Sequence, residues 1–262
     1  MWVVTSAEDH ADLWARRAAS FGAQASAYAE HRPDYPAEAI KWCLDPLESS
    51  PLRVLDLAAG TGKLTEGVVA LGHHVTAVEP DEQMLSELVR RNGGVRALPG
   101  TAERIPVPGG TVDAVVVGQA FHWFDQARAL AEIARVLRPG GVLAALWTGD
   151  DHSVPWVADY LAAVWGADGD PHKISSAGAP AEIMPRHEMF HEQETARFAH
   201  RQRRTPESLV ATLRTHSGVA TLPEAERLAL EAKALDFLRS REETRDGFDL
   251  PLRVMVKRMV RI

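Results

Sequence analysis

Apolar residues fall in short uninterrupted blocks, each followed by a segment in which they recur every three or four positions. The blocks are Val54, Leu55 and Leu57 around Asp56, then His74-Val75-Thr76-Ala77-Val78, residues 95–98, 112–117 and 142–147. Blocks without polar alternation read as strands buried on both faces of a sheet. The segments between them carry helical spacing. A helix over 37–47 is entered through Pro36; one from Leu64 uses Val68, Val69 and Leu71; one over 81–91 turns Met84, Leu85, Leu88 and Val89 to one side and is capped by Asp81. Ala127, Leu130, Ala134 and Leu137 mark another, stopped by Pro139-Gly140. Alternating strands and helices predict right-handed crossovers and a doubly wound parallel sheet, with the ligand crevice at the carboxyl ends of the first and fourth strands, where strand order reverses.

Outside this stretch the pattern loosens. Leu13, Trp14 and Arg17 suggest a short helix over 8–19, and residues 154–165 form an amphipathic one. Residues 167–185 are rich in Gly, Pro and Asp and read as a loop, and 189–200 as a strand. Thr205-Pro206 opens a helix, and Thr221-Leu222-Pro223-Glu224 reads as a capping box for a longer one with Leu228, Leu235 and Leu238 inward. Leu252, Val254 and Val256 alternate with Arg253, Met255 and Lys257 as a last strand.

The first strand runs directly into Ala58-Ala59-Gly60-Thr61-Gly62, residues small enough to let the backbone turn tightly and lie against a ligand. The helix that follows points its free N–H groups at the bend. Glu79, nineteen positions beyond Gly60, closes the second strand, where an acid in doubly wound folds holds ribose hydroxyls. A nucleoside ligand is therefore expected. The dinucleotide fingerprint G-x-G-x-x-G has Thr65 in its third place, and the phosphate-binding loop G-x-x-x-x-G-K-[ST] fails at Leu57 and Leu64.

Asp56-Leu57-Ala58-Ala59-Gly60-Thr61-Gly62 resembles the D/E-x-G-x-G-x-G signature of class I S-adenosylmethionine (SAM) dependent methyltransferases, with Ala58 in place of the first glycine. An alanine there is strained wherever the position needs positive φ. Gly100-Thr101-Ala102-Glu103, the segment Gly118-Gln119-Ala120-Phe121-His122-Trp123-Phe124 and Arg135-Val136-Leu137-Arg138-Pro139-Gly140-Gly141 look like the family's later motifs in order. Residues 21–36 resemble the F-x(n)-Y-x(3)-R-P-x-Y-P lead-in of its small-molecule, type 11-like branch.

The resemblance implies a Rossmann-like, mainly parallel seven-stranded sheet, with the last strand antiparallel beside the fifth and a helical cap. It implies one domain over 1–262, with an N-terminal lid (1–50), a SAM-binding core (51–148), a cap with the sixth strand (149–250) and the last strand (251–262). SAM is the implied cofactor and S-adenosylhomocysteine its product, held by Tyr28, Arg32, Asp56, Ala58, Gly60, Gly62, Leu64, Glu79, Pro80, Met84, Ala102, Glu103, Gln119 and Ala120. An arginine fork suits the cofactor's carboxylate, although Arg32 can equally pair with Asp34 or Glu30, and Met84 can equally be core. His122, Trp123 and Trp147 are the candidate acceptor contacts, with His122 the candidate general base. The bland alternative is that His122-Trp123-Phe124 packs the lip of the crevice. A nicotinamide oxidoreductase or a non-catalytic SAM-binding regulator would use the same turn.

Composition narrows the partners. A net charge of -7 and a pI near 5.9 leave no broad basic face for nucleic acid, and together with the family resemblance this makes a small-molecule acceptor the expectation. The only cysteine is Cys43, excluding an intramolecular disulfide and a cysteine metal cluster. No apolar run reaches the ~20 residues of a membrane span, and Glu8 and Asp9 interrupt any signal segment. A cytoplasmic monomer or homodimer without membrane partners is the expectation. His187-Glu188-Met189-Phe190-His191 matches H-E-x-x-H, but in a strand its histidines stand about 13 Å apart, too far to share an ion, and no metal is expected.

Overall fold

In the computed structural model, which describes residues 29–166, 184–216, 219 and 222–262, seven strands form one sheet in the order β3-β2-β1-β4-β5-β7-β6. The expected helix over 8–19, Tyr28, Thr221 and nearly all of the loop over 167–185 lie outside the described residues. The chain runs α1 (Ala37–Leu44), β1 (Arg53–Leu57), α2 (Lys63–Ala70), β2 (His74–Glu79), α3 (Glu82–Arg91), β3 (Arg96–Pro99) and β4 (Val112–Gly118). It continues with a 3-10 turn (Phe121–Trp123), α4 (Gln126–Val136), β5 (Leu137–Asp150), α5 (Pro155–Trp165), β6 (Glu194–Arg204), α6 (Pro206–Leu213), α7 (Glu224–Arg239) and β7 (Phe248–Val260).

β1 to β5 are parallel; β7 lies antiparallel to β5, and β6 antiparallel to β7. β4 explains why its block shows no polar alternation. Val115 and Val117 pack with Leu130 and Ile133 of α4 on one face, while Ala114 and Val116 pack with Ile40, Leu64 and Val68 on the other. Fully burying a valine or leucine stabilises by about 1.5–3 kcal/mol, so β4, covered on both faces, anchors the middle of the sheet. A third cluster joins α5, α6 and α7 to Phe248, Leu250 and Leu252 of β7, setting the cap over the end of the sheet.

The expected boundaries shift where long pairing overrides local signals. β5 and β7 extend well beyond their apolar blocks because they pair with each other from Val142↔Val260 to Asp150↔Leu252. The sixth strand occupies 194–204 rather than 189–200, and His187 to Phe190 form a turn in which Phe190 bridges Arg261. α7 starts after Pro223 without a side-chain cap, and Leu228 is half exposed while Glu231, Ala234 and Leu238 are buried. In α3, Val89 is likewise exposed and only Met84 and Leu88 are buried. Asp81 caps that helix through the Gln83 and Met84 amides, and Thr205 and Ser208 cap α6 reciprocally.

Candidate active site

Beyond β1 the backbone bends through positive φ at Ala58 (55°), Gly60 (57°) and Gly62 (87°). Glu79 fastens this bend: its Oε2 accepts from the Gly60 amide at 2.9 Å and its Oε1 from the Asp81 amide at 3.0 Å. One carboxylate thus ties the glycine turn to the start of the next helix. Burial pushes its pKa up against those two amide bonds, which pull it down. Asp56, fully buried, accepts from Thr65 Oγ1 at 2.6 Å through Oδ2, while Oδ1 has no hydrogen-bond partner. Burial lifts its pKa to about 7, and the nearby Glu79 charge adds to the rise.

A cavity of about 440 Å³ opens over the turn, within the range of small-molecule sites. Ala58, Gly60, Glu79, Pro80, Met84, Ala102, Glu103, Gln119, Ala120 and Trp123 all line it, bringing together ten residues expected from the sequence. No atom stands within 4 Å of where a Gly60 side chain would project. Glu103 also accepts from the Asp125 amide, which fixes the far rim.

A narrower recess of about 50 Å³ continues past the turn, lined by Arg32, Asp56, Leu64, Lys63, Thr61 and Tyr35 among others. Two cations and the open end of α2 make it the electropositive side of the cleft. Gly118 lies here beneath Tyr35, whose Oη is 2.5 Å from where a Cβ would stand. A second 50 Å³ chamber follows, between the end of β5 and the cap, sharing Arg32, Pro33 and Gln119 with the recess. Gln119 borders all three spaces, held at φ 58° by its amide bond to Leu146 O and a side-chain bond to Thr148 O at 2.6 Å.

Gly62, His122 and Trp147 do not line these spaces. The Gly62 Cβ position is 2.5 Å from Asn92 Nδ2, so glycine is needed there for α2 to approach α3. The Trp147 indole donates to His122 Nδ1 at 3.4 Å, and burial lowers the imidazole pKa to about 4. A neutral ring accepting at Nδ1 carries its proton on Nε2, so its lone pair faces the Trp147 indole. Arg32 donates to Thr215 O rather than to Asp34, which pairs with His200. Tyr28 lies outside the described residues. Lys63 lines the recess unexpectedly, although its place beside Gly62 was a usable signal, and Arg204, Tyr160 and Thr148 line the chamber with no signal in the sequence.

A doubly wound sheet closed by an antiparallel strand, with a nucleoside-sized cleft where strand order reverses, defines the methyltransferase architecture of class I. The family model described as a methyltransferase domain matches residues 55–145. An uncharacterized methyltransferase of Mycobacterium tuberculosis is 41% identical over 221 residues, covering 84% of each chain. An uncharacterized methyltransferase of Schizosaccharomyces pombe is 32% identical over 81% of this chain and 84% of that one. The solved structure of a putative type II methyltransferase from Anaeromyxobacter dehalogenans superposes with a TM-score of 0.64 at 25% identity, covering 88% of this chain and 97% of that one. The chain belongs to the class I SAM-dependent methyltransferases. Among the described residues, no helix is long and apolar enough to cross a membrane.

Proposed function

We propose that the chain transfers the methyl group of SAM to a small-molecule oxygen or nitrogen by in-line displacement. The observation that carries this is the Glu79-fastened turn opening on one side to a roomy cleft and on the other to an electropositive recess. Lone pairs of Glu79 not used by the Gly60 and Asp81 amides remain for ribose hydroxyls. Met84 and Phe124 offer apolar walls to a flat base, and Lys63 and Arg32 suit an amino-acid carboxylate. SAM supplies a methyl already activated on a sulfonium, so the protein's task is to align the acceptor and keep water out. No base is assigned to His122, because its geometry ties it to Trp147.

Two other readings use the same turn, a nicotinamide oxidoreductase and a SAM-binding regulator without turnover. Calorimetric titration with S-adenosylhomocysteine and with NAD separates the first: binding of the former alone is expected, and binding of NAD alone would overturn the proposal. Methyl transfer to any member of a metabolite panel separates the second. A cytoplasmic location and freedom from nucleic-acid and membrane partners belong to the same proposal.

A further inference from the structure

The chamber between β5 and the cap holds a buried cation that the cofactor recess does not use. Arg204, at the end of β6, is 5% exposed. Its Nη2 donates to the neutral carbonyl of His31, and its Nε is buried without a hydrogen-bond partner. Among the described residues no carboxylate approaches it within 4 Å, although Asp34 and Asp150 lie near enough to act on its charge. A buried guanidinium satisfied only by a carbonyl is costly unless an anion joins it. Asp34 is engaged by His200, and Asp150 stands on the chamber wall.

Two further residues lining the same space carry unanswered hydroxyls. Tyr160 Oη and Thr148 Oγ1 are both buried without a hydrogen-bond partner. Burial drives the Tyr160 pKa upward, so its phenol stays protonated and donates. Leu161, Leu209, Leu213 and Leu252 supply apolar wall around these groups. An arginine N–H and two hydroxyls on residues lining one chamber, among leucines, match a carboxylate on a short apolar body. An amine would meet the guanidinium's repulsion, offset in part by Asp150 on the same wall, and a neutral alcohol would leave Arg204 Nε without an anionic partner. The space of about 50 Å³ holds on the order of four water-sized groups, so the bound portion is compact.

We propose that this chamber is the acceptor site and takes a small carboxylate-bearing metabolite, whose carboxylate is anchored by Arg204 Nε and Tyr160 Oη. The proposal rests on the methyltransferase reading, since the chamber meets the cofactor recess at Arg32, Pro33 and Gln119. The anchored carboxylate orients the molecule toward Gln119, at the border between the two spaces.

The test is competition saturation-transfer NMR on protein saturated with S-adenosylhomocysteine, with propanoate, propan-1-ol and propylamine as probes. Propanoate is expected to bind at least fivefold more tightly than the other two. Tyr160→Phe removes only a hydroxyl that has no partner to lose, and is expected to weaken propanoate two- to tenfold while leaving propan-1-ol unchanged. Arg204→Met is expected to abolish the preference. Calorimetry of S-adenosylhomocysteine on the same samples keeps the two readings apart: if that ligand binds but propanoate shows no preference, or both variants retain it, the carboxylate anchor is wrong and the methyltransferase reading stands. If S-adenosylhomocysteine fails to bind, both fall.

Discussion

The two ends of the parallel sheet treat a buried carboxylate in opposite ways. At the amino end, Asp113 of β4 accepts from the Arg53 amide, from Arg53 Nε and Nη2, and from Arg138 Nε, all between 2.8 and 3.1 Å. These cations and the amide hold its pKa well below the usual carboxylate range. At the carboxyl end of the neighbouring strand, Asp56 has only Thr65, and burial pushes its pKa the other way. At the same end of the sheet Thr61 and Thr148 have buried hydroxyls without partners, and Ala58 and Gln119 sit at positive φ. Completed polar networks rigidify a fold, whereas incomplete ones and strained backbone gather where a ligand is to complete them. The amino end is the scaffold and the carboxyl end the site.

The largest expected effect is a difference in pH dependence. Asp56 has a folded pKa near 7 against 3.8 for the exposed group, so between these values the folded state binds more protons than the unfolded, and stability falls as pH rises. Asp113 works in the opposite sense, adding stability above the unfolded carboxylate pKa that is lost as pH drops. Asp56→Asn keeps an acceptor for Thr65 and removes the titration. The wild type should lose stability relative to this variant from pH 4.5 to 7.5, by at most about 4 kcal/mol for a shift of roughly three units. Urea midpoints at both pH values measure it; parallel behaviour of the two proteins would mean that Asp56 ionises freely.

Next comes Glu79→Gln. An amide cannot accept from both the Gly60 and Asp81 backbones, so S-adenosylhomocysteine affinity should fall about 10- to 100-fold. Stability should drop by no more than about 1 kcal/mol, since a neutral amide is easier to bury than a carboxylate. Asp113→Asn should reverse the pattern. Its guanidinium partners are open to water, with Arg53 and Arg138 side chains 54% and 36% exposed, so the loss is about 1–2 kcal/mol, or roughly 2–8 °C in Tm. Cofactor affinity should not change. If calorimetry shows Asp113→Asn weakening the ligand as much as Glu79→Gln does, the division between the two ends fails.

The carboxyl end was the more legible in sequence because its chemistry is local. The small-residue turn, Glu79 one strand later and the Gly100 and Gln119 segments are each set by spacing within a single βα unit. What spacing does not show depends on contacts made across the fold. Gly62 is abutted by Asn92, which caps the end of the next helix, and His122 accepts from Trp147 of another strand. Arg204 is buried while Arg201 and Arg203 beside it are exposed, a difference made by packing against segments distant in sequence, His31 among them. Helix seams on α3 and α7 followed periodicity until packing decided how much of each face the sheet could cover, which left Val89 and Leu228 outside.

The smallest effect probes the strain at the carboxyl end directly. Left-handed backbone costs a non-glycine residue about 1–2 kcal/mol, and Ala58 adopts it with φ 55°. Ala58→Gly removes that strain but loosens the unfolded chain by about 0.4–1 kcal/mol. The net gain should be about 0.5–1 kcal/mol, raising Tm by roughly 1–4 °C. Because Gly60 remains tied to Glu79, affinity for S-adenosylhomocysteine should stay within about twofold of wild type. A fall in both Tm and affinity would mean that the alanine methyl packs against the ligand and holds the turn in shape, so that the strained residue is a contact selected for binding and not a tolerated replacement of glycine.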